Sequence, residues 1–132
     1  MDYQQARDYF LSKPEAREDF PFYPDVAVFK VKDKMFATLS EERGVVRINL
    51  KCDPEQAEAL RMLFDGVKPG YHMNKRHWNT VMFDDSVPDH EIERMIDHSY
   101  SLVFSKLKKS ERQALSLLYT PKQLHGAMHI SE

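Results

Sequence analysis

An alternation of apolar and polar residues constrains the fold of this chain more than any other stretch. Between Val45 and Lys51 the alternating residues are apolar at Val46, Ile48 and Leu50 and polar at Arg47, Asn49 and Lys51. Successive side chains of a β-strand point to opposite faces of its sheet, so this strand has one apolar face and one polar face that carries cations. The pattern predicts a sheet with one face on a core and the other facing water.

Three further segments have the composition and length of strands. Residues 26–31 and 35–39 are rich in β-branched and aromatic side chains, and the turn Lys32-Asp33-Lys34 separates them, which predicts a β-hairpin. Residues 78–83 predict a fourth strand. An extra short strand is expected near Tyr71, after the chain break at Pro69-Gly70.

Four helices are predicted from capping residues and from apolar residues at helical spacing. The first helix is expected to start at Asp2 and end before Pro14, and the second to start at Asp53 and end at Gly66. The third is expected to start at Pro88, and the fourth to start at Ser110 and end before Pro121. The third helix is the longest and is expected to reach about residue 107. Residues 15–25 place two prolines among three aromatic side chains, which predicts an extended connector held by those aromatics.

These elements predict a single α+β domain in which helices back an antiparallel β-sheet, in the order α-β-β-β-α-β-α-α. The chain has 132 residues, and a typical domain has about 100–150. A flexible tail is expected over residues 120–132.

The cysteine content and the absence of apolar runs bear on the compartment. Cys52 is the only cysteine, so the chain has no internal disulfide. A charged leader followed by an apolar run is not found, and neither is a stretch of about 18 apolar residues. The sequence therefore predicts a cytoplasmic protein without a membrane partner, and we expect it to be a monomer.

The charge of the chain is unevenly distributed. The formal net charge is −2, which argues against a general polyanion binder. Residues 26–52, however, carry six cations against three acids, and residues 67–83 carry three cations and no acid. These two windows are the candidate cationic surface.

No combination of residues predicts catalysis, a metal site or a cofactor. Asp97-His98-Ser99 has the residue types of a catalytic triad, but consecutive helix residues point about 100° apart and do not converge. Cys52 precedes a helix start, where a thiolate could be stabilised, or it is an inert buried group. The four glycines match no phosphate-binding loop. We expect a protein that is not an enzyme and that uses no metal or cofactor.

The polar segment before the fourth strand resembles a known family. The string Tyr71-His72-Met73-Asn74-Lys75-Arg76-His77-Trp78, followed by Ser86-Val87-Pro88-Asp89 and Ile96-Asp97-His98-Ser99-Tyr100, is similar to the MmcQ/YjbR family of small bacterial proteins. The resemblance spans about residues 3–119. It implies a frataxin-like α+β fold and a DNA-binding role through a "double wing" of two hairpin-like projections. On this chain the wings correspond to residues 28–36 and 68–78.

The leading hypothesis is weak, salt-sensitive binding of double-stranded DNA through its phosphates by a protein that is not an enzyme. The candidate contact residues are Lys30, Lys32, Lys34, Lys68, His72, Asn74, Lys75, Arg76, His77 and Trp78. The alternative is an adaptor that binds a protein or a small ligand on the sheet face near Tyr71, His72 and Trp78.

Overall fold

The computed structural model describes residues 1–126. The strands are β1 (Arg17–Asp19), β2 (Ala27–Val31), β3 (Lys34–Glu42), β4 (Val45–Lys51), β5 (Val67–Pro69) and β6 (Trp78–Met82). The helices are α1 (Tyr3–Leu11), α2 (Pro54–Leu63), α3 (Asp89–Ser105), α4 (Lys109–Leu118) and α5 (Pro121–His125). The strands form one antiparallel sheet of six strands, in the spatial order β1-β2-β3-β4-β6-β5. The predicted α+β fold is confirmed.

The alternation along β4 separates a covered face of the sheet from an open one. Val46, Ile48 and Leu50 are buried under the helices, with α3 packed on β3 and β4 and α1 packed on β3. On the open face Asn49 lies between Thr38 and Thr80 and bonds to both hydroxyl oxygens, at 2.9 and 2.5 Å. A row of side-chain hydrogen bonds therefore crosses three strands of this face.

Aromatic side chains fill the core between the sheet and its helices. The ring centroids of Phe10 and Phe29 are 4.7 Å apart, and Phe36 meets Tyr100 edge to face at 5.2 Å. The buried Tyr100 hydroxyl donates to the Pro14 carbonyl at 2.7 Å, so its one polar atom is satisfied. This bond fixes the end of α1 against α3.

The predicted hairpin turns through two residues. Lys32 and Asp33 have φ values of 47° and 67°, both in the left-handed region. Two such residues form the type of turn whose twist matches that of paired strands. Lys34 therefore begins β3 directly opposite Val31.

The connector predicted over residues 15–25 contains the edge strand β1, and its aromatic side chains Phe20, Phe22 and Tyr23 are exposed, so the predicted anchoring by these aromatics was wrong. Glu18 of β1 accepts two hydrogen bonds from the guanidinium of Arg7 on α1, at 2.8 and 2.9 Å. Strand β1 has no apolar residue of its own. Backbone pairing with β2 and the bidentate interaction between Arg7 and Glu18 keep it on the sheet.

Three other boundaries differ from the prediction. The extra short strand is β5 at Val67–Pro69, whereas the residues around Tyr71 form turns. Helix α4 begins at Lys109, and Glu111 rather than Ser110 caps it by accepting from the backbone N–H of Lys108. Helix α5 occupies the first part of the predicted tail, and residues 127–132 of that tail lie outside the described residues.

Candidate functional site

Strand order brings one part of each cationic window to the same end of the sheet. Because neighbouring strands are antiparallel, β2 ends, β3 begins, β4 ends and β6 begins at the same end of the sheet, measured along the strands. The β2–β3 turn and the segment between β5 and β6 project from this end of the sheet. We call it the basic end, and its cations are Lys32, Lys34, Lys51, Lys75, Arg76 and Lys106.

Residues 70–77, termed here the 70–77 loop, are folded back onto β6. The Gly70 N–H donates to the Trp78 carbonyl at 2.8 Å, and the Tyr71 N–H donates to the Thr80 hydroxyl at 2.9 Å. A Cβ atom on Gly70 would lie only 2.7 Å from the Trp78 Cβ, so this close approach requires glycine. The loop is therefore fixed to the strand that carries Trp78.

Polar bonds inside the 70–77 loop define the orientation of its cations. The Asn74 side chain accepts from the Arg76 N–H at 3.0 Å, and the Lys75 ammonium donates to the Gly70 carbonyl at 3.0 Å. The Cys52 N–H donates to the His77 carbonyl at 2.7 Å, which attaches the loop to the end of β4. Asn74 thus shapes the loop, while the Arg76 side chain is exposed to solvent.

Arg61 of α2 holds the 70–77 loop from the covered side of the sheet. Its guanidinium donates to Asn79 Oδ1 at 2.7 Å, to the Trp78 carbonyl at 3.3 Å and to the Lys75 carbonyl. One rigid fork therefore joins a helix, a strand and the loop. This cation is structural rather than available at the surface.

The hairpin lysines of the basic end differ in their surroundings. Lys32 is paired with Glu15 at 2.8 Å, and Glu15 raises the pKa of the Lys32 ammonium by hydrogen bonding and charge. Lys30 lies on the open face and is paired with Asp19 of β1 at 3.2 Å. Lys34 is exposed and has no acidic partner in the described part of the chain. Of the three predicted hairpin contacts, only Lys34 forms no ion pair among the described residues, and the exposed Asp33 lies beside it in the turn.

The remaining predicted contact residues divide between the basic end and the edge strand β5. Lys68 is exposed on this edge strand, opposite Thr80 and on the open face. His72 has a φ of 58° and its ring stacks on that of Tyr71, with centroids 4.1 Å apart. His77 is exposed, and Trp78 is partly buried at the start of β6. The structure therefore gathers Lys34, Lys75, Arg76, His77 and Trp78 and leaves Lys68 and His72 at the side.

A cleft opens at the basic end beside the 70–77 loop. Its volume is about 430 Å³, and its walls come from the end of β4, the start of α2, the loop and the end of α3. Two cations that sequence analysis did not assign to the site, Lys51 and Lys106, line it together with Asn74, His77 and Trp78. Lys51 was already marked by its place on the cationic face of β4. Lys106 carried no sequence signal, because its position depends on how α3 crosses the sheet.

Cys52 also lies on a wall of this cleft, but its thiol is not activated as a nucleophile. It is buried, and desolvation raises the pKa of its thiol to about 11, with the Asp53 carboxylate adding to the effect. A thiol with such a pKa is almost entirely protonated at neutral pH. Of the two hypotheses drawn from the sequence, the structure favours the inert buried group.

Asp97, His98 and Ser99 each bond to different residues and do not form a triad. Asp97 accepts from the Tyr9 hydroxyl and the Lys13 ammonium, each at 2.8 Å. His98 Nε2 accepts from the Asp53 N–H at 3.3 Å, and the Ser99 hydroxyl donates to the Phe36 carbonyl at 2.6 Å. All three therefore attach α3 to neighbouring elements.

The far end of the strands is acidic. There the connections after β1, β3 and β6 and before β5 meet, and their acidic residues are Asp19, Asp25, Glu41, Glu42, Asp65, Asp84 and Asp85. Arg43 is a cation in the same turns. We call this edge the acidic end. The residues at the two ends of the strands therefore differ in the sign of their charge.

The described residues contain neither a candidate metal cluster nor a candidate membrane span. Within residues 1–126, no three His, Cys, Asp or Glu side chains are grouped so that they could hold a metal ion. No helix in that range has the length and apolar character needed to cross a bilayer.

A one-sided antiparallel sheet covered by helices defines the class of protein, a small two-layer α+β domain. The YjbR family model matches residues 11–102. The chain therefore belongs to the YjbR family, as the resemblance predicted.

Relatives of known sequence are similar over most of their length. The uncharacterized protein YbdF of Escherichia coli O157:H7 is 35% identical over 111 residues, which are 84% of this chain and 91% of YbdF. The uncharacterized protein YjbR of Escherichia coli K12 is 34% identical over 115 residues, which are 87% of this chain and 98% of YjbR.

Two solved structures share the fold. The crystal structure of DR2400 from Deinococcus radiodurans, described as a DUF419 domain, has a TM-score of 0.82 and 36% identity, covering 96% of this chain and 94% of that one. A crystal structure of a Pseudomonas syringae protein has a TM-score of 0.68 and 35% identity, covering 77% of this chain and 98% of that one.

Proposed function

We propose that the protein binds DNA without catalysing a reaction, and that the basic end contacts the phosphate backbone. One observation carries the proposal: sheet order places the β2–β3 turn and the 70–77 loop at the same edge of the sheet. The β2–β3 turn and the 70–77 loop are separate in sequence. They become one surface because β3 and β6 are only two strand spacings apart, about 10 Å.

Several cations of this surface are available to a polyanion. Among residues 1–126, Lys34, Lys51, Lys75, Arg76 and Lys106 form no ion pair with an acidic side chain. They can approach phosphates without first giving up an acidic partner. Lys30 and Lys32 would have to leave Asp19 and Glu15, so we assign them a smaller part than the sequence suggested.

The expected binding is weak and depends strongly on salt. Phosphate contacts release condensed counterions, and each contact adds about 0.9 to the slope of log affinity against log salt. If three cations engage a duplex, the slope is about −2.7. Such contacts position a protein on DNA without reading its sequence, so affinity should vary little between duplexes.

A duplex titration tests this proposal. We expect a labelled duplex to bind at about 50 mM salt and to be released toward about 200 mM. The double variant Lys34→Gln with Arg76→Gln should reduce the slope by about 2, because each lost phosphate contact removes about 0.9. Fluorescence anisotropy at several salt concentrations measures both quantities.

A control variant with the same change in charge makes the test specific to the basic end. Arg43→Gln with Lys122→Gln removes one cation from the acidic end and one from α5, and its salt slope should stay that of the unsubstituted protein. No binding at low salt, a flat salt response, or equal losses in the two double variants would refute the proposal. Binding of a cellular protein that survives Lys34→Gln with Arg76→Gln would favour an adaptor instead.

A further inference from the structure

The cleft beside the 70–77 loop is a recess of a size that can enclose a small ligand. Its volume of about 430 Å³ lies within the range of pockets that enclose small ligands, about 300–1,000 Å³. Paired bases are held inside their stack and reach a recessed side chain only when they are extruded. The cleft is therefore large enough for one unpaired nucleotide, whereas the paired bases of a duplex cannot reach its walls.

The walls of the cleft offer both kinds of contact that a nucleotide requires. Lys51 and Lys106 supply two ammonium groups without an acidic partner among the described residues, which suits a phosphate. Trp78, His77 and Leu102 supply aromatic and apolar surface, which suits the face of a base. Cations and aromatic side chains together are the usual equipment of sites that bind single-stranded nucleic acids.

Asp53 is the acidic side chain on the walls of the cleft. Asp53 caps α2, where its carboxylate accepts a hydrogen bond from the Gln56 N–H at 3.3 Å. A carboxylate at the start of a helix is stabilised by the helix dipole, which offsets part of its field in the cleft. Lys51 and Lys106 therefore leave the cleft with a positive balance.

The cleft is also held open by bonds that do not involve its cations. The Cys52 N–H to His77 carbonyl bond joins β4 to the 70–77 loop, and Arg61 fixes that loop from behind. A preformed site gives up less conformational entropy when it binds a ligand. The ammonium groups of Lys51 and Lys106 remain available to a ligand.

We infer that this cleft binds one unpaired nucleotide of a DNA strand, with its phosphate between Lys51 and Lys106 and its base against Trp78. The inference rests on the proposed function and deepens it, because it names the form of DNA that the basic end prefers. Single strands and unpaired ends should bind more tightly than a continuous duplex with the same number of phosphates.

Trp78 makes the inference directly measurable because it is the only tryptophan of the chain. The probes are thymidine 5′-monophosphate, a single-stranded oligothymidylate and a blunt duplex of equal phosphate number. We expect the oligothymidylate to quench tryptophan fluorescence and to bind at least about tenfold more tightly than the duplex. The mononucleotide should give the same quench at higher concentration, since it lacks the neighbouring phosphates.

Two double variants separate the cleft from the outer cations. Lys51→Gln with Lys106→Gln should weaken binding of the oligothymidylate by at least about tenfold, because charged hydrogen bonds to phosphate are lost. Lys34→Gln with Arg76→Gln leaves the walls of the cleft intact and should preserve the quench by the mononucleotide. Circular dichroism and thermal unfolding confirm that each variant is folded, and a second pair, Lys51→Met with Lys106→Met, replaces any glutamine variant that is not.

The outcomes distinguish this inference from the proposed function. Duplex binding with the expected salt slope but no quench by single strands overturns the inference and leaves the proposed function standing. A quench by the mononucleotide alone, without binding of either DNA, overturns both and assigns the cleft to a free nucleotide. Equal affinity for the single strand and the duplex also overturns the inference.

Discussion

His98 shows how one side chain couples a helix start to the longest helix. Its Nε2 atom accepts the Asp53 N–H at 3.3 Å, so the ring must be neutral and protonated at Nδ1. Burial lowers the pKa of His98, the Asp53 carboxylate opposes this shift and Arg94 adds to it. A protonated ring would place two donors against each other at this contact.

The stability of the fold should therefore fall as His98 becomes protonated. Since the pKa of His98 is lower in the folded state than in the unfolded chain, the unfolded chain binds more protons below about pH 6.5. The stabilisation is complete above that pH and is lost as the pH falls through the folded pKa. Urea unfolding between pH 7 and pH 5 should show a decline in unfolding free energy that is smaller for His98→Gln.

A control for this pH dependence is available on the same helix. The His90 side chain is 80% exposed, so His90→Gln should leave the decline unchanged. An equal slope in the unsubstituted protein and in His98→Gln would contradict the assignment.

Among the elements, the 70–77 loop depends on α2 as well as on its own sequence. Arg61 supplies hydrogen bonds to Asn79, Trp78 and Lys75, and Asn79 in turn donates to the Ala57 carbonyl at 3.3 Å. Asn79 is buried, so its amide group has little access to water as a substitute partner. The shape of the basic end is therefore set from the covered side of the sheet.

Replacing Arg61 should loosen the loop even when the charge is kept. Arg61→Lys provides a point charge instead of a planar fork and cannot reach three acceptors at once, so we expect a loss of about 1–3 kcal/mol in unfolding free energy. Amide hydrogen exchange at residues 74–78 should become faster. Glu58→Gln on the exposed side of α2 serves as the control, and a loss of equal size there would contradict the role of Arg61.

The elements that the sequence predicted well are those with a strong repeating pattern. The alternation of β4 and the apolar spacing of α3 both correspond to buried faces, and the Lys32-Asp33 turn lies where the hairpin was expected. The edge strand β1 was missed because Arg17, Glu18 and Asp19 have no apolar residue, and only pairing with β2 makes them a strand.

The apolar side chains of α2 show the same limit of sequence analysis. Leu63 lies on the apolar stripe of that helix in sequence, yet it is 70% exposed at the end of α2. Burial there depends on where the helix leaves the sheet. The position of Lys106 beside Lys51 depends in the same way on the path of α3, so half of the cationic wall of the cleft had no local signal.

At the scale of the whole molecule, the two ends of the sheet differ in charge. The β2–β3 turn and the 70–77 loop form the basic end, and the turns at the opposite edge form the acidic end. A strand such as β4, with its seven residues, separates them by about 20 Å. At about 0.15 M salt this exceeds the Debye length of about 8 Å, whereas at 0.01 M the Debye length is about 30 Å.

Neutralising the acidic end should therefore affect DNA affinity only at low salt. Asp25→Asn with Glu41→Gln removes two exposed acids that form no ion pair within the described residues. We expect tighter duplex binding at about 10 mM salt and no change at about 150 mM, because salt then screens the repulsion between the acidic end and the phosphates of the duplex. Anisotropy titrations at both concentrations measure this, and a gain that persists at the higher concentration would contradict the separation of the ends.

The opposed charges also give the molecule an electric dipole directed along its strands. Near a polyanion such a dipole experiences a torque, so the protein rotates during the approach and arrives with its lysines leading. Phe22 and Tyr23, which are 64% and 66% exposed in the connection after β1, would lie on the outer side of the proposed complex with DNA. Any second macromolecule meeting the assembly would encounter these aromatic rings and their surrounding carboxylates first.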